Sequence, residues 1–201
     1  MKFALYVEGY TERALSLFMK RWLDSKLSHR IEVKPVRFKG CGDYLSNFAQ
    51  RAKRDLDSGR VIAVIGLLDL YGAALRFPHN SSIDAKYNWA KAELERQVEH
   101  SRFRQHFAVH ETEAWLLSDP SIFPAAIRPR MEKFADRPES VDFQDPPAKL
   151  LRHLYAAAGR DYMKVTDGAA LFGKLNPEVA CARCPHLNLL LSDMLVLATA
   201  A

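Results

Sequence analysis

Cysteine is scarce here, with three in 201 residues. That argues against a disulfide framework and fits a reducing, cytoplasmic compartment. No stretch approaches the roughly 18 consecutive apolar residues of a transmembrane helix, so no membrane span is expected. The apolar run after Lys2 meets Glu8 too early for a secretory signal. There are no internal repeats or low-complexity tracts. No glycine-rich loop of the Walker type occurs either, which argues against ATP hydrolysis by this chain itself. What is present is ordinary for a globular protein: 48% hydrophobic and 26% charged residues. The length suits one domain with a sizeable core, or a core with a helical extension. A formal net charge of +5 suits a nucleic-acid partner without requiring one.

The organising stretch is Phe3-Ala4-Leu5-Tyr6-Val7-Glu8-Gly9. An apolar run stopping at a carboxylate and a glycine predicts a strand over 2–7. It would deliver Glu8 to the carboxyl edge of a sheet, where open α/β folds place their ligands. Thr11 suits the cap of a helix over 11–26, with Glu12 in the first turn. Ala14, Leu15, Leu17, Phe18, Trp22 and Leu23 form its expected apolar stripe. Ile31, Val33 and Val36 predict a second strand, with Pro35 marking an edge. A helix over 44–56 carries Arg51, Lys53 and Arg54. Val61 to Leu68 is apolar without alternation, as in a strand buried on both faces of a parallel sheet, and it ends in Asp69. A helix over 83–100, a strand over 103–109 and a helical turn within 110–119 follow.

These elements predict an α/β fold, a mostly parallel sheet flanked by helices, over residues 1–119. Residues 120–201 form a helical C-terminal extension packed on that core as one structural unit. Pro124, Pro129, Pro138, Pro146 and Pro147 predict a long excursion or mobile loop, with a short helix near 130–134. Helices are expected over 147–158, 167–175 and 187–197.

Glu8 and Asp69 each follow a core strand. On neighbouring parallel strands they emerge at one edge, where close carboxylates need a cation or proton between them. Hard oxygen donors of this kind suit Mg²⁺ or Mn²⁺, which can orient a phosphodiester. Alternatively, each acid merely caps the helix after it. His110-Glu111-Thr112-Glu113 follows the fourth strand. Glu111 and Glu113 point alike if the chain is extended. On a helix they diverge by about 200°, so that one of them faces the site. His110 lacks the second histidine, four residues on, that a zinc protease helix needs. Lys164 could hold phosphate charge or simply lie in solvent. Cys181, Cys184 and His186 leave a structural zinc short of ligands, with Cys41 the remaining thiol.

Val7-Glu8-Gly9-x-Thr11-Glu12 and Leu68-Asp69-x-x-Gly72 resemble a TOPRIM domain, found in topoisomerases, primases, recombination proteins and overcoming-lysogenisation-defect (OLD-type) nucleases. Three further stretches narrow this to a family of TOPRIM-like proteins of unknown function and similar length. They are His110-Glu111-Thr112-Glu113-Ala114-Trp115-Leu116-Leu117-Ser118-Asp119, Tyr162-Met163-Lys164 and Arg183-Cys184-Pro185. The resemblance spans nearly the whole chain. It implies a Mg²⁺-dependent (or Mn²⁺-dependent) phosphodiester site, with Glu8 as general acid/base or metal ligand and Asp69 as the first aspartate of an Asp-x-Asp pair. Tyr71 stands where the second aspartate belongs, so Glu111, Glu113 or Glu12 would have to supply that carboxylate. The resemblance further implies a cytoplasmic nuclease effector of bacterial anti-phage loci, toxin-like and controlled by a nearby ABC-type ATPase. RNA such as tRNA, or DNA, would be its target. Two other readings stand beside it: a non-catalytic subunit that docks on an ATPase or on nucleic acid, and a phosphohydrolase for a small nucleotide. A homo-oligomer stays open.

Overall fold

The computed structural model describes residues 1–8, 12–70, 73–79, 81–141 and 144–201, with nothing described of the Glu12 side chain. The expected Thr11 cap, Gly9, Tyr71 and Gly72 lie outside the described residues. Four strands, β1 (Lys2–Glu8), β2 (Glu32–Phe38), β3 (Ala63–Asp69) and β4 (Phe103–Ala108), form one parallel sheet in the order β2-β1-β3-β4. They alternate with α1 (Glu12–Lys26), α2 (Cys41–Asp57) and α3 (Ile83–Val98). The uninterrupted apolar runs of β1 and β3 occupy the two central positions, where both faces are covered. β2 lies at an edge, exposed along much of its length, and Pro35 sits there without interrupting a central ladder.

One core lies on each side of the sheet. Ala4, Tyr6, Val64 and Leu68 pack with α2 and α3 residues such as Phe48, Ala52, Tyr87 and Leu94. Phe3, Leu5, Ile65 and Leu67 pack with α1 and with apolar residues reaching to Ala198. On α1 the buried apolar residues are Leu15, Phe18, Met19, Trp22 and Leu23, spaced by three and four. Leu17, expected in that stripe, is 54% exposed because its position falls off this face. In β3, Gly66 leaves room for the Tyr44 hydroxyl to donate to Gln105 Oε1 across the strand at 2.6 Å; a Cβ there would collide with both groups.

After β4 come α4 (Glu113–Leu116), α5 (Arg128–Met131), α6 (Pro147–Ala156), α7 (Thr166–Lys174), α8 (Pro177–Arg183) and α9 (Pro185–Thr199). The proline-rich excursion is not merely a surface loop. Ile127, Met131 and Val141 join the main core. The Glu139 carboxylate accepts from the backbone N–H groups of His186 and Leu187 at the start of α9, at 3.0 and 3.3 Å, and lies 3.0 Å from His186 Nδ1. A carboxylate at a helix N-terminus satisfies donors the helix cannot use itself. The short helix α8 was not expected from the sequence. Asn176 caps it by accepting from Glu178 N–H, with Pro177 at its first position.

Candidate functional site

The parallel register pairs Val7 with Leu67, so Glu8 and Asp69 leave the sheet at the same carboxyl edge. They do not leave on the same face. Tyr6 belongs to the α2 side and Leu67 to the α1 side. Strand alternation therefore turns Glu8 toward α2 and Asp69 toward the helical extension. Expecting the two acids to converge considered the edge and not this parity.

Lys164 links the two. Its Nζ lies 3.0 Å from Glu113 Oε1, and its charge acts on both Asp69 and Glu8. Glu113 is 1% exposed and opens α4; the Lys164 side chain is 36% exposed. Thr112 stands just before that helix. Its backbone N–H donates to Asp69 Oδ1 at 3.1 Å and its hydroxyl to Glu113 Oε2 at 3.4 Å. Glu111 lies ahead of α4, and its Oε2 accepts from Ala148 N–H in the first turn of α6 at 2.9 Å. Both glutamates act on Asp69, contrary to the expectation that a helix would turn one away, because the helix begins only after Thr112. His110 is buried ahead of the same turn.

Burial, and then the neighbouring Glu113 and Glu111, push the Asp69 carboxyl up to about 8, against the pull of Lys164 and the Thr112 N–H. Burial also raises Glu8, with Lys164 opposing. For Lys164, burial works against the charge but is outweighed by Glu113, Asp69 and Glu111, so its ammonium is held above the usual lysine range. Three acids and one lysine thus share a poorly solvated edge, with Glu8 reached through the lysine.

Tyr162, two residues before Lys164, belongs to this site. Its buried hydroxyl has no hydrogen-bond partner among the described residues, and burial followed by Glu113 pushes its ionisation far up. Its place beside Lys164 in sequence was the signal available. Cys41, at the start of α2, feels the Glu8 charge. Of the other expected contributors, Tyr71 and the Glu12 side chain lie outside the described residues. The zinc candidates are used otherwise: Cys184 is buried, Cys181 Sγ donates to Asn188 Oδ1 at 2.9 Å, and His186 faces Glu139 and Asp84. In the third motif, Arg183 donates to the Ser118 carbonyl and ties α8 to the end of α4.

Among the described residues, no three His, Cys, Asp or Glu side chains are gathered closely enough to hold a metal ion. The donor chemistry nevertheless fits a hard divalent cation. Mg²⁺ commonly takes one or two carboxylates and completes its shell with water and substrate phosphate. A carboxyl driven up by like charges, as Asp69 is, gains by meeting such a charge. No helix among the described residues is long and apolar enough to cross a membrane.

Comparison with curated proteins returned no match. Among solved structures, the chain resembles the C-terminal region of the Burkholderia pseudomallei OLD protein, with TM-score 0.51 and 19% identity over 98% of this chain and 97% of that one. It also aligns with the C-terminal region of the Xanthomonas campestris pv. campestris OLD protein, with TM-score 0.46 and 14% identity over 98% and 97%. At such identities the first likeness speaks for the fold alone: a four-stranded parallel sheet flanked by helices, in the arrangement of an OLD C-terminal region. The family model for a domain of unknown function, DUF4276, matches residues 7–195, nearly the whole chain, and the protein therefore belongs to the DUF4276 family.

Proposed function

We propose that this chain is a divalent-cation-dependent nuclease that cleaves phosphodiester bonds at the carboxyl edge of its sheet. The observation that carries the reading is the pairing of a cation with a crowded acid cluster: Lys164 pairs with Glu113 at 3.0 Å and its charge is felt at Asp69 and Glu8, where Asp69 is pushed up to about 8. Asp69 would hold Mg²⁺ or Mn²⁺ through its carboxylate and the ion's own waters, with Glu113 and Glu111 adding negative charge beside it and Glu8 on the other face of the edge. Bound there, the ion would supply charge neutralisation for the phosphate and lower the pKa of a coordinated water.

The chain's own residues account for the rest. Lys164 exchanges Glu113 for a phosphate oxygen when substrate enters, which stabilises charge developing on the phosphorus centre. Burial raises the Glu8 carboxyl from its ordinary value, against the pull of Lys164, which makes it a stronger base toward a proton of the attacking water. The water oxygen bonds to phosphorus, one P–O ester bond breaks, and the departing oxygen takes a proton from bulk water. Thr112 N–H keeps Asp69 aimed at the edge, and Glu111 anchors α6 beside it.

The sequence resemblance to TOPRIM-like effectors extends the reading to a cytoplasmic, toxin-like protein of anti-phage defence, restrained by a partner ATPase and acting on tRNA, other RNA or DNA. A second reading, a binding subunit without catalysis, draws on the absence of a three-ligand metal cluster among the described residues. End-labelled RNA and DNA incubated with Mg²⁺ or Mn²⁺ separate the two. Cleavage by the wild type that vanishes in folded Glu8→Ala supports the nuclease. Cleavage retained by Glu8→Ala refutes the assignment, and inert wild type on every substrate favours the binding subunit.

A further inference from the structure

We infer that the seam between β2 and α2 is a second, separate site: a groove that binds the phosphodiester backbone of a nucleic acid. The inference rests on the reading that nucleic acid is this protein's ligand. The groove measures about 580 Å³ and is lined by Lys2, Lys34, Arg37, Arg51, Arg54 and Arg60. One acid, Asp55, lies among these six cations. The excess of five positive charges equals the +5 of the whole chain, so the rest of the sequence is balanced in formal charge.

Five of these six cations have not been neutralised by the protein. Among the described residues, Lys2, Lys34, Arg51, Arg54 and Arg60 form no ion pair. Asp55 is turned to another task, accepting from the buried Tyr6 hydroxyl at 2.6 Å. Arg51 is fixed at the seam by the rings of Tyr6 and Phe38, its guanidinium carbon 5.8 and 5.4 Å from their centroids. Protection of an exposed edge strand accounts for Lys34, Pro35 and Arg37. It does not account for Arg51 and Arg54, which come from α2, nor for Arg60, which precedes β3.

The spacing indicates a polymer. Lys2 starts β1, and Arg51 lies over Tyr6, four residues further along the same strand. The cations are therefore strung over about 13 Å along the strand direction, at about 3.3 Å per residue. A small anion could meet only some of them, whereas a nucleic-acid strand presents a phosphate about every 3.4 Å of duplex axis. The groove also has a direction. Arg51, over the ring of Phe38, marks its end near Glu8, with which Phe38 pairs, so a strand lying in it leads from the amino end of the sheet to the carboxylate edge.

The test is fluorescence anisotropy of the full chain in EDTA, with short labelled RNA and DNA, single- and double-stranded, across a salt series. The variant is Lys34→Ala/Arg54→Ala/Arg60→Ala, all three exposed; Arg54→Glu alone replaces it should the triple variant not fold. The wild type should bind with strong salt dependence. The variant should lose about tenfold or more in affinity at about 0.1 M salt, with a log–log salt slope shallower by about two to three. Whether RNA or DNA binds more tightly identifies the source of the backbone. Failure of the wild type to bind, unchanged affinity and slope in the variant, or equally effective competition by polyglutamate would each overturn the groove. If wild type and Glu8→Ala both bind through the groove but the wild type never cleaves, the groove stands and the nuclease reading falls. If the wild type cleaves while the triple variant binds unchanged, the reverse holds.

Discussion

Replacing Asp69 by asparagine should make the metal-free protein more stable at neutral pH, by an amount that grows with pH. The amide is isosteric and keeps an oxygen for the Thr112 N–H, which reaches Asp69 Oδ1 at 3.1 Å. What it removes is a charge in a place that resists charge. Burial foremost, then Glu113 and Glu111, holds the folded Asp69 carboxyl up to about 8, with Lys164 and Thr112 opposing. In the unfolded chain the same group titrates near about 3.9. Between those values the folded state keeps a proton that the unfolded state has released. Its contribution is fully present below about pH 4 and is lost progressively as pH rises to about 8.

At about 1.4 kcal/mol per unit, the difference approaches about 4 kcal/mol at pH 7 and about 1–2 kcal/mol at pH 5. Partial solvent contact of Asp69 reduces the first figure to roughly 2–3 kcal/mol. Urea unfolding in EDTA at about pH 5, 6, 7 and 8 measures it. Asp69→Asn should match the wild type in acid and exceed it increasingly above. A variant less stable than wild type at pH 8, or a difference independent of pH, refutes the reasoning. Mn²⁺ should reverse the order, since a cation that binds only the folded wild type stabilises it by mass action.

Gly66→Ala should destabilise by about 3 kcal/mol or more, because the methyl displaces both the Tyr44 hydroxyl and Gln105, breaking a buried hydrogen bond as well as overpacking; thermal unfolding checks it, and a shift under about 1 kcal/mol contradicts it. Lys164→Met leaves the 1%-exposed Glu113 without its cation, which should reduce stability by about 3 kcal/mol and abolish cleavage; Lys164→Arg should recover part of both in urea melts and nuclease assays.

The order of strands and helices was readable because the strands differ in their apolar patterning. Val61 to Leu68 could only be central, and the exposed, proline-bearing β2 could only be an edge. Glu8 and Asp69 were readable as edge residues for the same reason. Their faces were not, since parity depends on which residue of each strand pairs with which, and Val7 opposite Leu67 is set by the whole sheet. Glu111 and Glu113 were legible as a pair, but their joint approach to Asp69 depends on the helix starting one residue after Thr112, within the uncertainty of any boundary read from sequence. The proline-rich stretch looked like excursion because proline breaks helices; its apolar residues show their purpose only once α9 offers Glu139 a helix end to cap.

Lys164 was the least legible residue, and the reason is the length of the path that places it. Arg21 of α1 donates to the carbonyls of Phe172, Gly173 and Leu175, at 2.7, 2.5 and 2.9 Å, and so holds the end of α7. At the other end of α7, Asp167 accepts from Met163 N–H at 2.8 Å and pairs with Arg160, which fixes the backbone beside Lys164. Phe18 and Phe172 pack edge to face between the same two helices, with ring centroids 5.8 Å apart. The lysine is therefore positioned from α1, the helix that follows Glu8 in the chain. One element joins the strand carrying the first acid to the segment carrying the cation, although more than 150 residues separate Glu8 from Lys164. The helical extension thus completes the charge balance of the sheet edge: without it, Glu113 would lose the ammonium it pairs with and Asp69 the cation that opposes its raised pKa.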